Sequence, residues 1–269
     1  MASTRATRLA PWSASKIQMA LRCPREFHYR YIERVPEVET MADARIGKAV
    51  HSALEHALQG TLPQLAIRDA RAELPDEDEQ RRYDLIAAGV EPFLDRVASF
   101  RRRYRVNRQL VEFSLAVRAD FTATQFYSGD AFYRGLFDVG FLYDDNLAII
   151  DHKTGFRIAS HRITEQLQGY AVLSAATFRG ARRFRLGVHW VADNDVEWAP
   201  AIDHAEINQR LLPQVADNIE AAALAVNDGP RPDPGMWCGR CSYRSICPAA
   251  YALRYEPVDD YDDTDDDYE

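Results

Sequence analysis

In the stretch NLAIIDHKTG, residues 146–155, four apolar residues (Leu147-Ala148-Ile149-Ile150) run without a break into Asp151, His152 and Lys153. A short apolar run of this kind reads as a buried strand. Side chains alternate across a strand, so Asp151 and Lys153 share one face. The chain thus carries a carboxylate and an ammonium straight out of a hydrophobic core, and the Thr154-Gly155 pair then turns it away. An isolated D-x-K is usually an ordinary ion pair at a strand end, so its surroundings decide how this one is read.

Those surroundings change period near residue 110. Residues 13–34 and, more clearly, 45–59 have helical spacing, with Val50, Leu54, Ala57 and Leu58 on one face. Residues 62–106 read as further helices, broken near Pro75 and Pro92. From 110 onward the segments 110–117, 131–143 and 147–153 are rich in β-branched and aromatic residues, as strands are. A helix follows over about 162–178, a strand over 183–192 and a long helix over 204–227. This order predicts an α/β fold with a mixed sheet flanked by helices. No apolar run approaches the roughly 20 residues of a membrane helix. The arginine-rich N-terminus lacks an apolar h-region, so secretion is not supported and a cytoplasmic protein is expected.

The net charge of −8 is set by one segment, because EPVDDYDDTDDDYE at 256–269 holds nine acids and no base. Without it the body is close to neutral. So polar a tail is expected to be disordered. Bases cluster in residues 1–34 and again in RRRYRVNR at 101–108. Such clusters are most often solvated helix faces, but two of them on a near-neutral body suit a phosphate backbone.

If strands 131–143 and 147–153 form a hairpin turning between Asp144 and Asp145, Asp138 stands directly opposite Asp151, with Cβ atoms about 5 Å apart. Lys153 shares their face. Two such carboxylates repel unless a proton or cation lies between them, and oxygen ligands favour Mg²⁺ or Mn²⁺. Elsewhere, His51 lies at helical spacing with Leu54 and Leu58, near the core face. Gln166 and Tyr170 are one helical turn apart. Gly169 within that helix fits close packing. Glu112 lies on the first strand with nothing local to account for it.

Taken in order, these segments resemble the PD-(D/E)XK nuclease superfamily in its RecB-like branch. The matching pieces are Gly47 to His51, Glu112, Gly135 to Asp138, Asp151 to Gly155 and Gln166 to Tyr170. The resemblance implies a restriction-endonuclease-like core in which His51, Asp138, Asp151 and the His152 backbone carbonyl bind the metal. It makes Lys153 the catalytic lysine, with Gln166 and Tyr170 steadying the site. His152 fills a position often taken by an aromatic residue.

The four cysteines are Cys23, Cys238, Cys241 and Cys247, the last three spaced C-x2-C-x5-C. With no secretion signal, disulfides are not expected. Spacing alone leaves zinc and a [4Fe–4S] cluster open. One cysteine before the nuclease core and three after it resembles the layout of iron–sulfur RecB-like nucleases, among them CRISPR-associated exonucleases and AddB-type domains, and so implies the cluster. It would form a cap from both chain ends, joining Cys23 and Cys238 across 215 residues.

The expected organisation is an N-terminal segment (1–44), a nuclease core (45–200) with a helical insert at about 62–106, a cysteine cap (201–254) and the acidic tail (255–269). The implied activity is metal-dependent exonuclease cleavage of single-stranded DNA or DNA ends, in CRISPR adaptation, recombination or repair. A DNA-binding subunit with a silent or partner-dependent site is the alternative. The partners expected are DNA, a protein of a recombination or adaptation complex, or further copies of the chain, and no membrane.

Overall fold

The computed structural model describes residues 4–37, 42–155 and 161–252. Its helices are α1 (Thr4–Arg8), α2 (Ala14–Arg22), α3 (Pro24–Phe27), α4 (Ala42–Leu58), α5 (Pro63–Ala72), α6 (Glu77–Ala87), α7 (Val90–Tyr104), α8 (His161–Thr177), α9 (His204–Glu206), α10 (Leu212–Asn227) and α11 (Pro248–Ala252). Helices α3 and α9 each continue into a π-helical turn, His28–Ile32 and Ile207–Leu211. The strands are β1 (Arg108–Val117), β2 (Ala123–Thr124), β3 (Tyr133–Tyr143), β4 (Asn146–Lys153), β5 (Arg183–Trp190), β6 (Asp195–Trp198) and β7 (Ile202–Asp203). They form one sheet in the order β2-β1-β3-β4-β5-β6, with β7 on β5.

Neighbours β1, β3 and β4 are antiparallel, whereas β4 and β5 are parallel. A parallel pair needs a crossover, and α8 supplies it. The mixed sheet flanked by helices is the one expected. Strands β2, β6 and β7 went unread because two to four residues carry too little period. The helical region 62–106 breaks at Pro75 as expected, but its second break falls at Ala88–Gly89. Pro92 instead lies in the first turn of α7, where a missing N–H costs no hydrogen bond. A Cβ on Gly89 would lie 1.8 Å from the Val191 carbonyl oxygen, so glycine is needed there.

Each face of the sheet carries its own core. On one, Leu147, Ile149 and Phe137 pack with Trp12, Phe27 and Leu173. On the other, Ala148 and Ile150 pack with Val50, Tyr83 and Phe93. Strand β4 is therefore covered on both sides, which is why its apolar run does not alternate with polar residues. The N-terminal segment belongs to the first core. Trp12 is fully buried, its backbone N–H donates to Phe132 O at 2.7 Å, and Arg134 N–H donates to its carbonyl at 2.9 Å. The acidic tail lies outside the described residues.

Helix α8 approaches the sheet closely because Gly169 has no side chain. A Cβ there would lie 2.1 Å from the Tyr133 hydroxyl oxygen but 3.2 Å from the ring carbon that carries it. Gly169→Ala is expected to lower stability by about 2 kcal/mol through overpacking. The double variant Gly169→Ala/Tyr133→Phe should recover most of that loss in urea unfolding. An equal loss with and without the hydroxyl would show that this close approach is not the cause.

Candidate active site

The hairpin register is the one the turn position predicted. Strands β3 and β4 pair from Tyr143↔Asn146 to Val139↔Ile150, around a two-residue turn in which Asp144 has φ 47°. Asp138 and Asp151 are the next pair in that register, and there the ladder stops. Asp138 Oδ2 accepts the His152 N–H at 2.5 Å, so a side chain takes the place of the backbone acceptor that the ladder would have supplied.

The face alternation of both long strands also reverses at this level. Tyr133 and Phe137 of β3 face the first core, while Val139, Phe141 and Tyr143, of the same parity, face the second. On β1, Leu110 and then Leu115 and Val117 all face the first core. Between them lies Glu112, opposite Asp138 in the β1–β3 register, with φ 46°. A left-handed non-glycine residue inside a strand is strained, and such positions gather at functional sites. This irregularity accounts for Glu112, which had no local explanation in the sequence.

Helices from opposite faces then close on the two aspartates. From α4, His51 Nδ1 lies 3.2 Å from Asp138 Oδ1. From α8, Gln166 donates to Asp151 Oδ1 at 2.9 Å and contacts the Tyr170 hydroxyl at 2.7 Å, and that hydroxyl lies 3.2 Å from the same Oδ1. Lys153 Nζ lies 2.6 Å from Asp151 Oδ2 and donates to Gln166 Oε1 at 2.8 Å. Gln166 thus holds lysine and aspartate together, and the one-turn spacing of Gln166 and Tyr170 serves one carboxylate. The His51 and Lys153 side chains remain about one-third exposed, 34% and 31%, so the cleft opens to solvent.

Burial alone would raise the Asp138 carboxyl, but the hydrogen bond and charge of His51 and the His152 backbone N–H bring it below the usual carboxylate value. For Asp151 burial wins over Lys153, and Asp138 adds to it, so its carboxyl is raised. The His51 imidazole loses by burial and gains more from Asp138, ending above its usual value. His51, Glu112 and Asp138 present ligand atoms all within 4.8 Å of one another, the only such group of three among the described residues. Asp151 lies outside that trio, and its buried Oδ2 has Lys153 Nζ at 2.6 Å. A histidine and two carboxylates this close, with a second aspartate beside them, suit a divalent cation held by oxygen and imidazole.

Behind the site the sequence reading missed a back wall. His152 points away from Asp151, and its Nδ1 lies 3.0 Å from His189 Nδ1 of β5. Phe93 of α7 stacks on His189, with centroids 4.1 Å apart, and meets His152 edge-on. Burial lowers His152 to about 4. Burial, then His152, lowers His189 to about 3. Both rings are neutral at pH 7, with one donating to the other. A histidine within the apolar run of β5 was the only sequence signal.

The cysteines converge as well. Cys23, between α2 and α3, lines one pocket with Cys238, Cys241 and Cys247, beside Glu26, Tyr29, Trp237 and Tyr243. All four thiols are free and half-buried. Burial pushes Cys241 up to about 11, and the neighbouring Cys23 and Cys247 add to it.

A family model described as the PD-(D/E)XK nuclease superfamily matches residues 11–248, and the chain belongs to that superfamily. Among solved structures it is similar to a presumed exonuclease from Eubacterium rectale, at 15% identity and a TM-score of 0.53, covering 89% of this chain and 90% of that one. It is also similar to SSO0001, at 15% identity and a TM-score of 0.43, covering 89% and 86%. The Eubacterium likeness is one of fold. No curated protein matches the chain significantly by sequence. Among the described residues, no helix is long and apolar enough to cross a membrane.

The Glu112 carboxyl is pushed up to about 7 by burial and by Asp138 and Glu55, against a pull from His51. Between its ordinary 4.5 and about 7, the folded protein holds a proton that the unfolded chain has released. Metal-free protein should therefore lose stability as pH rises through that window and level off above it. Glu112→Gln is neutral throughout and should shrink this decline in denaturant titrations at pH 5 and pH 7.5, leaving the smaller part that the raised Asp151 and His51 contribute. Equal declines in both proteins would assign the effect to other groups.

Proposed function

We propose that this chain is a Mg²⁺- or Mn²⁺-dependent deoxyribonuclease that degrades DNA from ends, preferring single strands, and that its cysteines hold a [4Fe–4S] cluster. The observation that carries the nuclease reading is Lys153, fixed by Gln166 and Asp151 at the open edge of a cleft whose other wall is Asp138, His51 and Glu112. His51, Asp138, Asp151 and the His152 carbonyl are the proposed metal ligands, with Glu112 close enough to join them. A divalent ion bound there would supply Lewis-acid polarisation of the phosphate and a more acidic water.

The chain's own groups do the rest. Lys153 places an ammonium beside the scissile phosphate, where it offsets charge developing on the non-bridging oxygens. Gln166 and the Tyr170 hydroxyl keep Asp151 from swinging onto Lys153 alone. Hydrolysis adds the water oxygen to phosphorus, breaks the bond to the leaving sugar oxygen and returns a proton to that oxygen. The name of the Eubacterium protein agrees with action from ends. The pathway we propose is the processing of DNA ends, in recombination and repair or in CRISPR adaptation.

End-labelled single- and double-stranded DNA, incubated with Mg²⁺, Mn²⁺ or chelator, tests this directly. Cleavage should require the cation. Lys153→Ala should slow it at least about a hundredfold, the scale of losing one preorganised charge, while DNA binding persists. Cleavage that survives chelation or the Lys153 substitution would refute the mechanism.

For the cap, four free thiols in one pocket fit a four-thiolate group. The one-before, three-after layout of the cysteines is what favours the iron–sulfur cluster over zinc. Anaerobically purified protein should contain iron and acid-labile sulfide. Cys241→Ser should lose both and unfold at lower temperature, by the several kcal/mol typical of a missing cross-link. Stoichiometric zinc in place of iron would replace this reading.

A further inference from the structure

An exposed arginine cluster lies at the end of the sheet opposite Lys153. Arg101, Arg102 and Arg103 occupy the last turn of α7, Arg105 follows with φ 47°, and Arg108 opens β1, all exposed. The cluster continues across the sheet. The Arg103 guanidinium lies 5.5 Å from the Tyr104 ring, which packs on Tyr143 at 5.1 Å. Arg185 of β5 lies near Tyr143 and 4.9 Å over Trp198. Arg183 opens β5, opposite Asn146.

The acids at this end are few. Asp144 and Asp145 form the hairpin turn, Asp203 is the cross-strand partner of Arg183, and Arg182 comes no nearer than 4.0 Å to Asp145. Among the described residues none of the five arginines at the α7–β1 junction is in an ion pair. Arginines elsewhere commonly are, as Arg22, Arg45, Arg71, Arg82 and Arg118 show. Unpaired guanidinium groups repel one another, and a polyanion would relieve that repulsion.

The separation from the chemistry follows from the fold. Strand β4 runs from Asn146 at the arginine end to Lys153 at the cleft, seven residues or about 23 Å. Helix α7 links the same two ends, with Phe93 behind the site and Tyr104 among the arginines. A phosphate at Lys153 therefore cannot touch this cluster, but one roughly four to seven nucleotide steps away can, the lower figure for an extended single strand and the higher for duplex rise.

We propose that the arginine end is a second anchoring point for the DNA phosphate backbone, holding the part of the substrate distant from the bond being cut. The proposal rests on the nuclease reading for its substrate. Such an anchor slows dissociation between cuts and lowers KM for long strands without entering the bond-breaking step.

The test compares wild type with Arg101→Gln/Arg102→Gln/Arg103→Gln, substitutions that keep helix propensity on an exposed face. KM for a strand of about 20 nucleotides should rise about tenfold at low salt, with kcat unchanged. KM for a strand of about four nucleotides, too short to bridge the two ends, should not move. Affinity measured by fluorescence anisotropy in chelator should fall by about two units of salt slope, near 0.7 for each single-strand phosphate that the variant no longer neutralises. An unchanged salt slope would overturn the proposal, as would an equal KM rise for short and long strands. If wild type cuts no DNA, the nuclease reading falls, while the anisotropy slopes still decide whether the arginine end binds the backbone.

Discussion

Asp138 and Asp151 are held in register by a tight hairpin at the point where its strands part, and the rest of the site answers the repulsion between them. Each carboxylate is satisfied from a different side. Asp138 takes the freed His152 N–H and the His51 imidazole, whereas Asp151 takes Gln166, Tyr170 and the charge of Lys153. The two therefore titrate apart, Asp138 below and Asp151 above an ordinary carboxylate. Environments that separate like groups in this way assign them different duties in one cleft. A bound cation would draw both toward the charged form and remove the difference.

That division follows from layering. Helix α4 packs on one face of the sheet and α8 on the other, so His51 and Gln166 can converge only where the sheet is locally open. The face reversal at Glu112 and Asp138 creates that opening. A regular ladder would have sent Asp138 and Asp151 together into the first core. The strain of Glu112 in a left-handed conformation is offset by flanking pairs, Val111↔Val139 and Phe113↔Phe137, which keep one register across it. Behind β4, the neutral His152–His189 pair and Phe93 fill the second face, so the backbone that carries Asp151 and Lys153 has a packed wall at its back.

Much of this was legible in the sequence because it depends on local periods. The apolar run of β4, the two-residue turn and the one-turn spacing of Gln166 and Tyr170 each specify a relation between near neighbours, and the structure keeps all three. Gly169 was readable as a close approach, although Tyr133 as its neighbour was not. Relations across long sequence separations were less visible. The pairing of His152 with His189 depends on parallel β4–β5 register, which no local pattern encodes. The joining of Glu112 to His51 depends on a backbone reversal that strand propensity does not favour. The break at Gly89 was misplaced to Pro92 because proline interrupts a helix interior but suits its first turn. The arginines of 101–108 were recognisable as a cluster, but only the strand order shows that they stand at the far end from the cleft.

The cysteine cap is distant from the cleft in sequence but not in mechanical terms. The two segments that carry the cysteines meet through protein contacts: Arg25 N–H donates to Arg231 O, His28 Nε2 lies 2.8 Å from Val226 O, and Tyr29 packs on Tyr243. Just before Cys23, α2 packs against both α8 and α10, and α8 packs against β1, β3 and β5. Helix α8 is thus pressed between the sheet and the segments that the cap ties together. It also carries Gln166, the residue that holds Lys153 to Asp151. A cap that loosened would free α8 from its backing before it disturbed the sheet. The first function affected would be the orientation of Lys153, while the carboxylates on β3 and β4 kept their places.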